Sequence, residues 1–196
     1  MTVFKLTDEL LFPPPHLADP DGLLAIGGDL TPQRLLLAYS SGLFPWFNDG
    51  QPPLWWCPEP RCIFEPGRMH ISRSLMKTLK RHSFKVTCNK DFRSVIRSCA
   101  AMRKSEGEET WITDALAEAF LQLHAMGYAH SVECWQEGVL AGGLYGVCLG
   151  RCFFGESMFH NVTDSSKVAL AYLLRMAERN RFELVDCQLS NDHLLS

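Results

Sequence analysis

The 196-residue chain has no apolar run near the roughly 18–20 residues that a membrane-spanning helix needs. The best candidate, Val139 to Leu149, is broken by Gly142, Gly143 and Gly146 and stops at Gly150-Arg151. The opening MTVFKLTDELLFPPP lacks a basic segment followed by an apolar one, so no secretory leader is expected. No Cys-x-x-Cys pair occurs among the eight cysteines. Cys57 and Cys62 have no matching His or Cys pair downstream, which argues against zinc. A chain this long and apolar needs no disulfide framework, and small buried thiols in a reducing compartment are expected. No G-K-[ST] follows Gly27-Gly28, Ser157 lacks a G-x-S-x-G setting, and no cysteine has an obvious basic partner. Phosphate-loop and nucleophilic-triad chemistry therefore lose their sequence support. Internal repeats are also absent.

Hydrophobic residues make up 46% and charged residues 21%, which places the chain among soluble globular proteins and excludes disorder. Its net charge of −3 conceals a segregated pattern. Residues 1–60 carry 2 basic and 7 acidic side chains, residues 61–104 carry 12 and 2, and residues 105–196 carry 5 and 13. A basic block inside an acidic chain is an electrostatic footprint for a polyanion. Two helices are expected to carry it. Ser72 caps one running to about Arg81, on which Arg73, Lys77, Lys80 and Arg81 fall in a stripe of about 100° opposite Leu75, Met76 and Leu79. The other, about Phe92 to Met102, buries Phe92, Val95, Ile96 and Cys99 and presents Arg93 and Arg97 one turn apart. Solvated helix faces are the plainer alternative.

Elsewhere, Thr31-Pro32 opens a short helix, Gln33 to Ser41, that ends at Gly42. An aromatic stretch follows, Phe44, Trp46, Phe47, Trp55 and Trp56, punctuated by prolines. Thr113 caps a helix to about Met126. Strands are expected over Ala129 to Gln136, Val139 to Leu149 and Cys152 to Gly155, with Glu137-Gly138 and Gly150 at the turns. Ser165 or Ser166 caps a helix, Lys167 to Arg179, and a last strand runs from Leu184 to Leu189. This order predicts an α+β (mixed α/β) fold with a small N-terminal domain over 1–60 and a second domain over 61–196. It suits the acyltransferase (GNAT-like) fold, a largely antiparallel sheet flanked by helices. The segment FGESMFHNVTDSSK offers no nest of glycine amides for a pyrophosphate, which disfavours coenzyme A.

Polar groups gather beside apolar ones in Phe153 to Met158 and in Asp186-Cys187-Gln188, followed by Asn191, Asp192 and His193. Within a strand, Asp186 and Gln188 would face the same side. A solvated edge strand is the commoner reading of a lone D-x-Q, and His193 reads as structural.

The strings LLAIGGDLTPQRLLLAYSSGLFPWF, PLWWCPEPRCIF, HISRSLMKTLKR, TWIT, GYAHSVECWQEGVLAGGLYGVCLGRCFFGESMF, SSKVALAYLL and DCQLSNDH resemble the leucyl/phenylalanyl-tRNA–protein transferases over nearly the whole chain. The resemblance implies transfer of leucine or phenylalanine, less so methionine, from aminoacyl-tRNA to proteins beginning with Arg or Lys. The product is marked for N-end-rule degradation in the cytoplasm, and no metal, coenzyme or membrane is involved. It further implies Asp186 as base or electrostatic anchor, Gln188 orienting the attacking amine and Asn191 supporting both. Trp46 and Trp111 would stack the terminal adenosine, with Phe153 and Glu156 nearby. Leu144, Met158 and Leu170 would line the aminoacyl pocket, where family members usually carry methionine at position 144. The helices bearing Arg73 to Arg97 would hold the acceptor-stem backbone without reading sequence. Trp55, Trp56 and Trp135 are assigned to core packing. Family members continue past DCQ…H, whereas this chain stops at Ser196, so an open sheet edge and an incomplete acceptor site are expected. A non-catalytic RNA-binding module and a coenzyme A acetyltransferase are the competing classes.

Overall fold

The computed structural model describes residues 3–68, 71–105 and 110–189. In chain order the elements are β1 (Phe4–Leu6), β2 (Leu23–Gly27), α1 (Pro32–Ser40), β3 (Phe44–Pro45), β4 (Leu54–Trp56), β5 (Ile63–Phe64), α2 (Arg73–Lys80) and β6 (Lys85–Cys88). There follow α3 (Phe92–Ser105), α4 (Asp114–Ala125), β7 (Ala129–Gln136), β8 (Val139–Leu149), β9 (Cys152–His160), α5 (Ser165–Arg179) and β10 (Leu184–Asp186). They form a four-stranded sheet, order β1-β2-β4-β3, and a six-stranded sheet, order β5-β10-β9-β8-β7-β6. In the larger sheet only β10 and β9 run parallel. The architecture is the mixed α/β class expected.

Local chemistry accounts for the element ends. Thr31 accepts from Arg34 N and sits before Pro32, as an N-cap followed by proline should. Asp29 braces that cap, accepting from Thr31 N at 2.9 Å and Oγ1 at 2.6 Å, while Arg34 Nε lies 3.2 Å from Asp29 Oδ2. Fully buried Arg34 also donates to the carbonyls of Thr7 and Glu9 at 3.0 and 3.1 Å, pinning the chain that leaves β1. The GGDLTPQR segment is thus a structural clasp. Ser72 and Thr113 cap α2 and α4 through Leu75 N and Leu116 N. Between β7 and β8, Glu137 and Gly138 both take positive φ, 51° and 83°, the conformation of a tight type I′ hairpin.

Helices cover both faces of the larger sheet. Gly142 and Gly143 on β8 show how closely: a Cβ at Gly142 would strike Ser165 Oγ of α5, and one at Gly143 would lie 3.5 Å from Val95 of α3. Adjacent strand residues point to opposite faces, so α5 and α3 lie on opposite sides. Leu75 of α2 packs with Val168, Leu170 and Leu174 of α5. The other face carries α1, α3 and α4, with Tyr39, Val95, Ile96, Leu116 and Phe120 sharing one core with the smaller sheet's Leu24, Phe44 and Trp55.

Several expectations are revised. Helix α5 starts at Ser165 with Asp164 at the cap position in a left-handed conformation; Ser165 turns inward and donates to Ala141 O at 2.8 Å instead of capping. Strand β9 continues through GESMF to His160. Strand β10 ends at Asp186, because Gln188 adopts φ 56°. Strand β5 pairs with β10 and is the outer strand of the sheet there, with Val185 opposite Phe64 and Asp186 opposite Ile63. All eight cysteines are free, but only Cys99 and Cys134 are buried and Cys88 is exposed. Among the tryptophans assigned to the core, only Trp55 is fully buried. Trp56 is partly exposed, and Trp135 carries the Lys90 ammonium 4.4 Å above its ring.

Candidate active site

Asp186 closes β10 with its carboxylate largely out of solvent. Arg61, in the segment between β4 and β5, grips it from the side. Its Nε lies 3.0 Å from both oxygens and its Nη2 2.9 Å from Oδ2. The backbone N–H of Gln188 donates to Asp186 Oδ1 at 2.8 Å. That contact is a side-chain turn closing two residues on, which is how the chain leaves the strand. Asp186 and Gln188 are therefore coupled by a turn and not by strand alternation.

Glu156 comes from a β-bulge. Tyr145 faces Ser157 and Gly146 faces Gly155, so Glu156 is the extra residue on β9. Its carboxyl oxygen Oε1 accepts from Tyr39 Oη of α1 at 2.7 Å and from Gln188 Nε2 at 3.1 Å. Burial raises the Glu156 pKa to about 8; hydrogen bonds from Tyr39 and Gln188 and the Arg61 charge oppose the rise, and the Asp186 charge adds to it. Burial, then the Glu156 charge, holds Tyr39 well above the ordinary tyrosine range, so its hydroxyl stays a donor. Between the two polar residues, Cys187 is pushed up to about 12, by burial first and then by Cys62 and Asp186. It stays a thiol at neutral pH and is no nucleophile.

The expected substrate-binding residues divide between the two faces. Leu144, Phe153, Met158 and Leu170 meet on the α5 side, packed around Val185. Leu144 and Met158 are direct cross-strand partners. Glu156 points to the α1 side. Trp46 follows β3 on that side, 41% exposed, its ring tilted against Trp56 at 5.8 Å. Trp111 precedes the α4 cap and packs half-buried on the core that holds Tyr39 and Phe44. A separate cavity of about 300 Å³ lies on the α5 side toward the start of β9, lined by His130, Val132, Phe153, Met176, Ala177 and Phe182 among others; of the expected residues it shares only Phe153. Asn191 lies outside the described residues.

The basic residues divide likewise. Arg73, Lys77, Lys80 and Arg81 are exposed on α2 and its C-cap, on the α5 side, whereas Arg93 and Arg97 are exposed on α3, across the sheet. Sequence reasoning missed Arg61 and Tyr39. The available signal for Arg61 was its isolation: it is the one basic residue between Arg34 and Arg68, set in a proline- and tryptophan-rich run. Among the described residues, no group of three or more His, Cys, Asp or Glu side chains is arranged to hold a metal.

Residues 63–196 match the family described as leucyl/phenylalanyl-tRNA protein transferase, and residues 28–59 match the N-terminal domain of the same family. The leucyl/phenylalanyl-tRNA–protein transferase of Desulforapulum autotrophicum is 54% identical over 196 residues, which is 100% of this chain and 86% of that protein. That of Syntrophotalea carbinolica is 55% identical over 196 residues, 100% of this chain and 85% of that protein. Among solved structures, an aminoglycoside acetyltransferase from a soil metagenome matches with a TM-score of 0.46 and 16% identity, over 59% of this chain and 84% of that one.

Proposed function

The chain belongs to the leucyl/phenylalanyl-tRNA–protein transferase family, and from that premise we propose how its site performs the reaction. The enzyme transfers leucine or phenylalanine from aminoacyl-tRNA to protein N-termini. Acceptors beginning with Arg or Lys, their consequent degradation and a cytoplasmic setting belong to our proposal. No helix among the described residues is long and apolar enough to cross a membrane.

The chemistry is aminolysis of an ester. The acceptor's α-amine, with an ordinary pKa of about 8, attacks the aminoacyl carbonyl, and the terminal ribose hydroxyl leaves. Protein groups need only place the amine and settle the charge that develops. The observation carrying this reading is the double tether on Gln188. Its backbone N–H is held by Asp186 and its side-chain N–H by Glu156. With Nε2 committed, the amide carbonyl is the end left to accept from an incoming amine. Below pH 8 Glu156 is mostly protonated and hydrogen-bonded to Tyr39 and Gln188, so it orients Gln188; it is also among the acidic groups offered to the acceptor's Arg or Lys side chain. Asp186 is an anchor, and Asn191 supports the pair.

On the α1 side of this centre, Trp46 and Trp111 stack the terminal adenosine, each ring contributing roughly 1–3 kcal/mol. Across the sheet, on the α5 side, Leu144, Phe153, Met158 and Leu170 form the apolar wall for the leucyl or phenylalanyl side chain, so the aminoacyl end passes from one face to the other around the end of β10. Shape discrimination there is worth only about 1–3 kcal/mol per methylene, so some methionine is transferred. The basic stripe of α2 grips acceptor-stem phosphates. A boundary near residue 60 gives Tyr39 and Trp46 to a small N-terminal domain and the carboxylates to the acyltransferase domain over 61–196. The test is transfer of labelled leucine from charged tRNA to a peptide beginning with Arg. Asp186→Ala should cut turnover about 100-fold with tRNA binding intact; wild-type turnover in that variant would remove the assignment.

A further inference from the structure

We propose that Arg61 is a positioning residue for the transfer reaction, holding the Asp186 carboxylate in one orientation and, through it, the turn that aims Gln188. The proposal rests on the reading of Asp186 and Gln188 given above.

Three distances define the clamp: Arg61 Nε to Oδ1 and Oδ2, both 3.0 Å, and Nη2 to Oδ2, 2.9 Å. Both partners are sheltered, with side chains 19% and 8% exposed. The guanidinium lies 5.0 Å from the Phe44 ring centre, so β3 supports its face while its Nε edge donates to the carboxylate. Backbone bonds flank the clamp, Cys62 N to Gln188 O at 3.1 Å and Cys187 N to Cys62 O at 2.9 Å. Arg61 is therefore fixed on the strand edge that pairs with the D-C-Q segment.

The clamp matters because Gln188 sits at φ 56°, a backbone region that residues other than glycine rarely adopt. Its N–H bond to Asp186 Oδ1 holds that conformation, and it survives only while Oδ1 points at the turn. A carboxylate free to rotate would release Gln188 and the side-chain bond to Glu156 together. A planar guanidinium engages both carboxylate oxygens and lies against an aromatic ring at once; a lysine ammonium is a point charge on a flexible stem and does neither as well. The same geometry specifies the role of Asp186. Oδ1 already receives Arg61 Nε and the Gln188 N–H, and Oδ2 receives Arg61 Nε with the Nη2 charge 2.9 Å away. Asp186 thus acts as a fixed charge, and the proton of the attacking amine leaves by another acceptor.

The experiment compares Arg61→Lys, Arg61→Ala, Asp186→Ala and the Arg61→Ala/Asp186→Ala double variant, measuring kcat and KM for leucine transfer to an Arg-starting peptide, with tRNA affinity and thermal midpoint alongside. Arg61→Ala should lower kcat about 100-fold while KM for the charged tRNA changes less than about twofold. Added guanidinium, at concentrations far below denaturing, should restore about tenfold of the loss, and methylammonium should not. The double variant should be no slower than Asp186→Ala alone. Wild-type kcat in Arg61→Ala, with Asp186→Ala impaired, overturns the role of Arg61 and leaves the reading of Asp186 standing. Wild-type kcat in Asp186→Ala overturns both. If Arg61→Ala does not fold, Arg61→Lys decides: a kcat within twofold of wild type overturns the proposal, and a loss of about tenfold or more with an unchanged thermal midpoint supports it.

Discussion

Glu133 on β7 and Glu156 on β9 are both buried carboxyl groups of the same sheet, but the regions around them differ in what they donate. Glu133, with no exposed surface, accepts from the hydroxyls of Thr87 and Ser131 and from the backbone N–H groups of Lys90 and Asp91 where the chain turns into α3. Its carboxyl group sits at the N-terminal end of that helix, and both oxygens are supplied with donors. Glu156 receives two donors on a single oxygen, and Asp186 lies near enough to disfavour its charge. One region saturates a carboxyl group with donors for architecture. The other leaves a carboxyl group that titrates near neutral pH beside the Gln188 amide, which suits the proposed orientation of an uncharged amine.

This contrast is broken most severely at Glu133. Glu133→Ala strands two hydroxyls and two backbone N–H groups in a dry interior and should cost about 3–5 kcal/mol. Denaturant unfolding checks the loss. Transfer per folded molecule should stay near wild type, because Glu133 touches none of the proposed site residues in β9 or β10.

At Glu156 the effect is smaller and appears as a pH dependence. The unfolded chain releases this proton near the ordinary 4.5, whereas the folded chain keeps it to about 8. The unfolded state therefore binds fewer protons between those values, and this group makes stability fall as pH rises through that window and level off above it. The part lost between pH 5 and pH 7 is about 2–3 kcal/mol. Glu156→Gln keeps an acceptor for Tyr39 and Gln188 and cannot ionise. Unfolding free energies measured from pH 5 to pH 8 should lose that downward slope in the variant.

Both carboxylates also show what a single sequence discloses. Elements set by local rules were legible: the Thr31-Pro32, Ser72 and Thr113 caps, the Glu137-Gly138 hairpin and the span of β7 and β8 follow from neighbouring residues. Strands of two to five residues, such as β1, β2 and β5, were not, because long-range pairing defines them and no periodicity can build up over so few positions. The bulge that turns Glu156 toward Tyr39 is likewise a register event between β8 and β9. At the site, Asp186, Gln188 and Glu156 were named from their strings. Arg61 and Tyr39, distant from them by 125 and 117 positions, enter only through folding. The basic block is legible as charge, but its division between the two faces of the sheet is not, because only folding places α2 and α3 on opposite sides.

That separation makes the finest test of the two faces. Surface charges act on a polyanion over about one Debye length, roughly 8–10 Å at physiological salt, so a tRNA held against the α5 side feels α2 directly and α3 weakly. Replacing Lys77 and Arg81 by glutamine should weaken tRNA binding about tenfold and reduce the slope of log affinity against log salt by about 2, one for each phosphate no longer neutralised. Replacing Arg93 and Arg97 by glutamine should change affinity less than about twofold and leave the slope alone. Salt titrations of tRNA binding for the two double variants separate the alternatives. Equal losses would mean that the RNA crosses the sheet edge and touches both faces. A loss confined to α2 means that the phosphates are gripped on the face holding Leu144, Met158 and Leu170, so the stem stays on the side of the apolar wall and only the terminal adenosine rounds the end of β10 to reach Trp46 and Trp111.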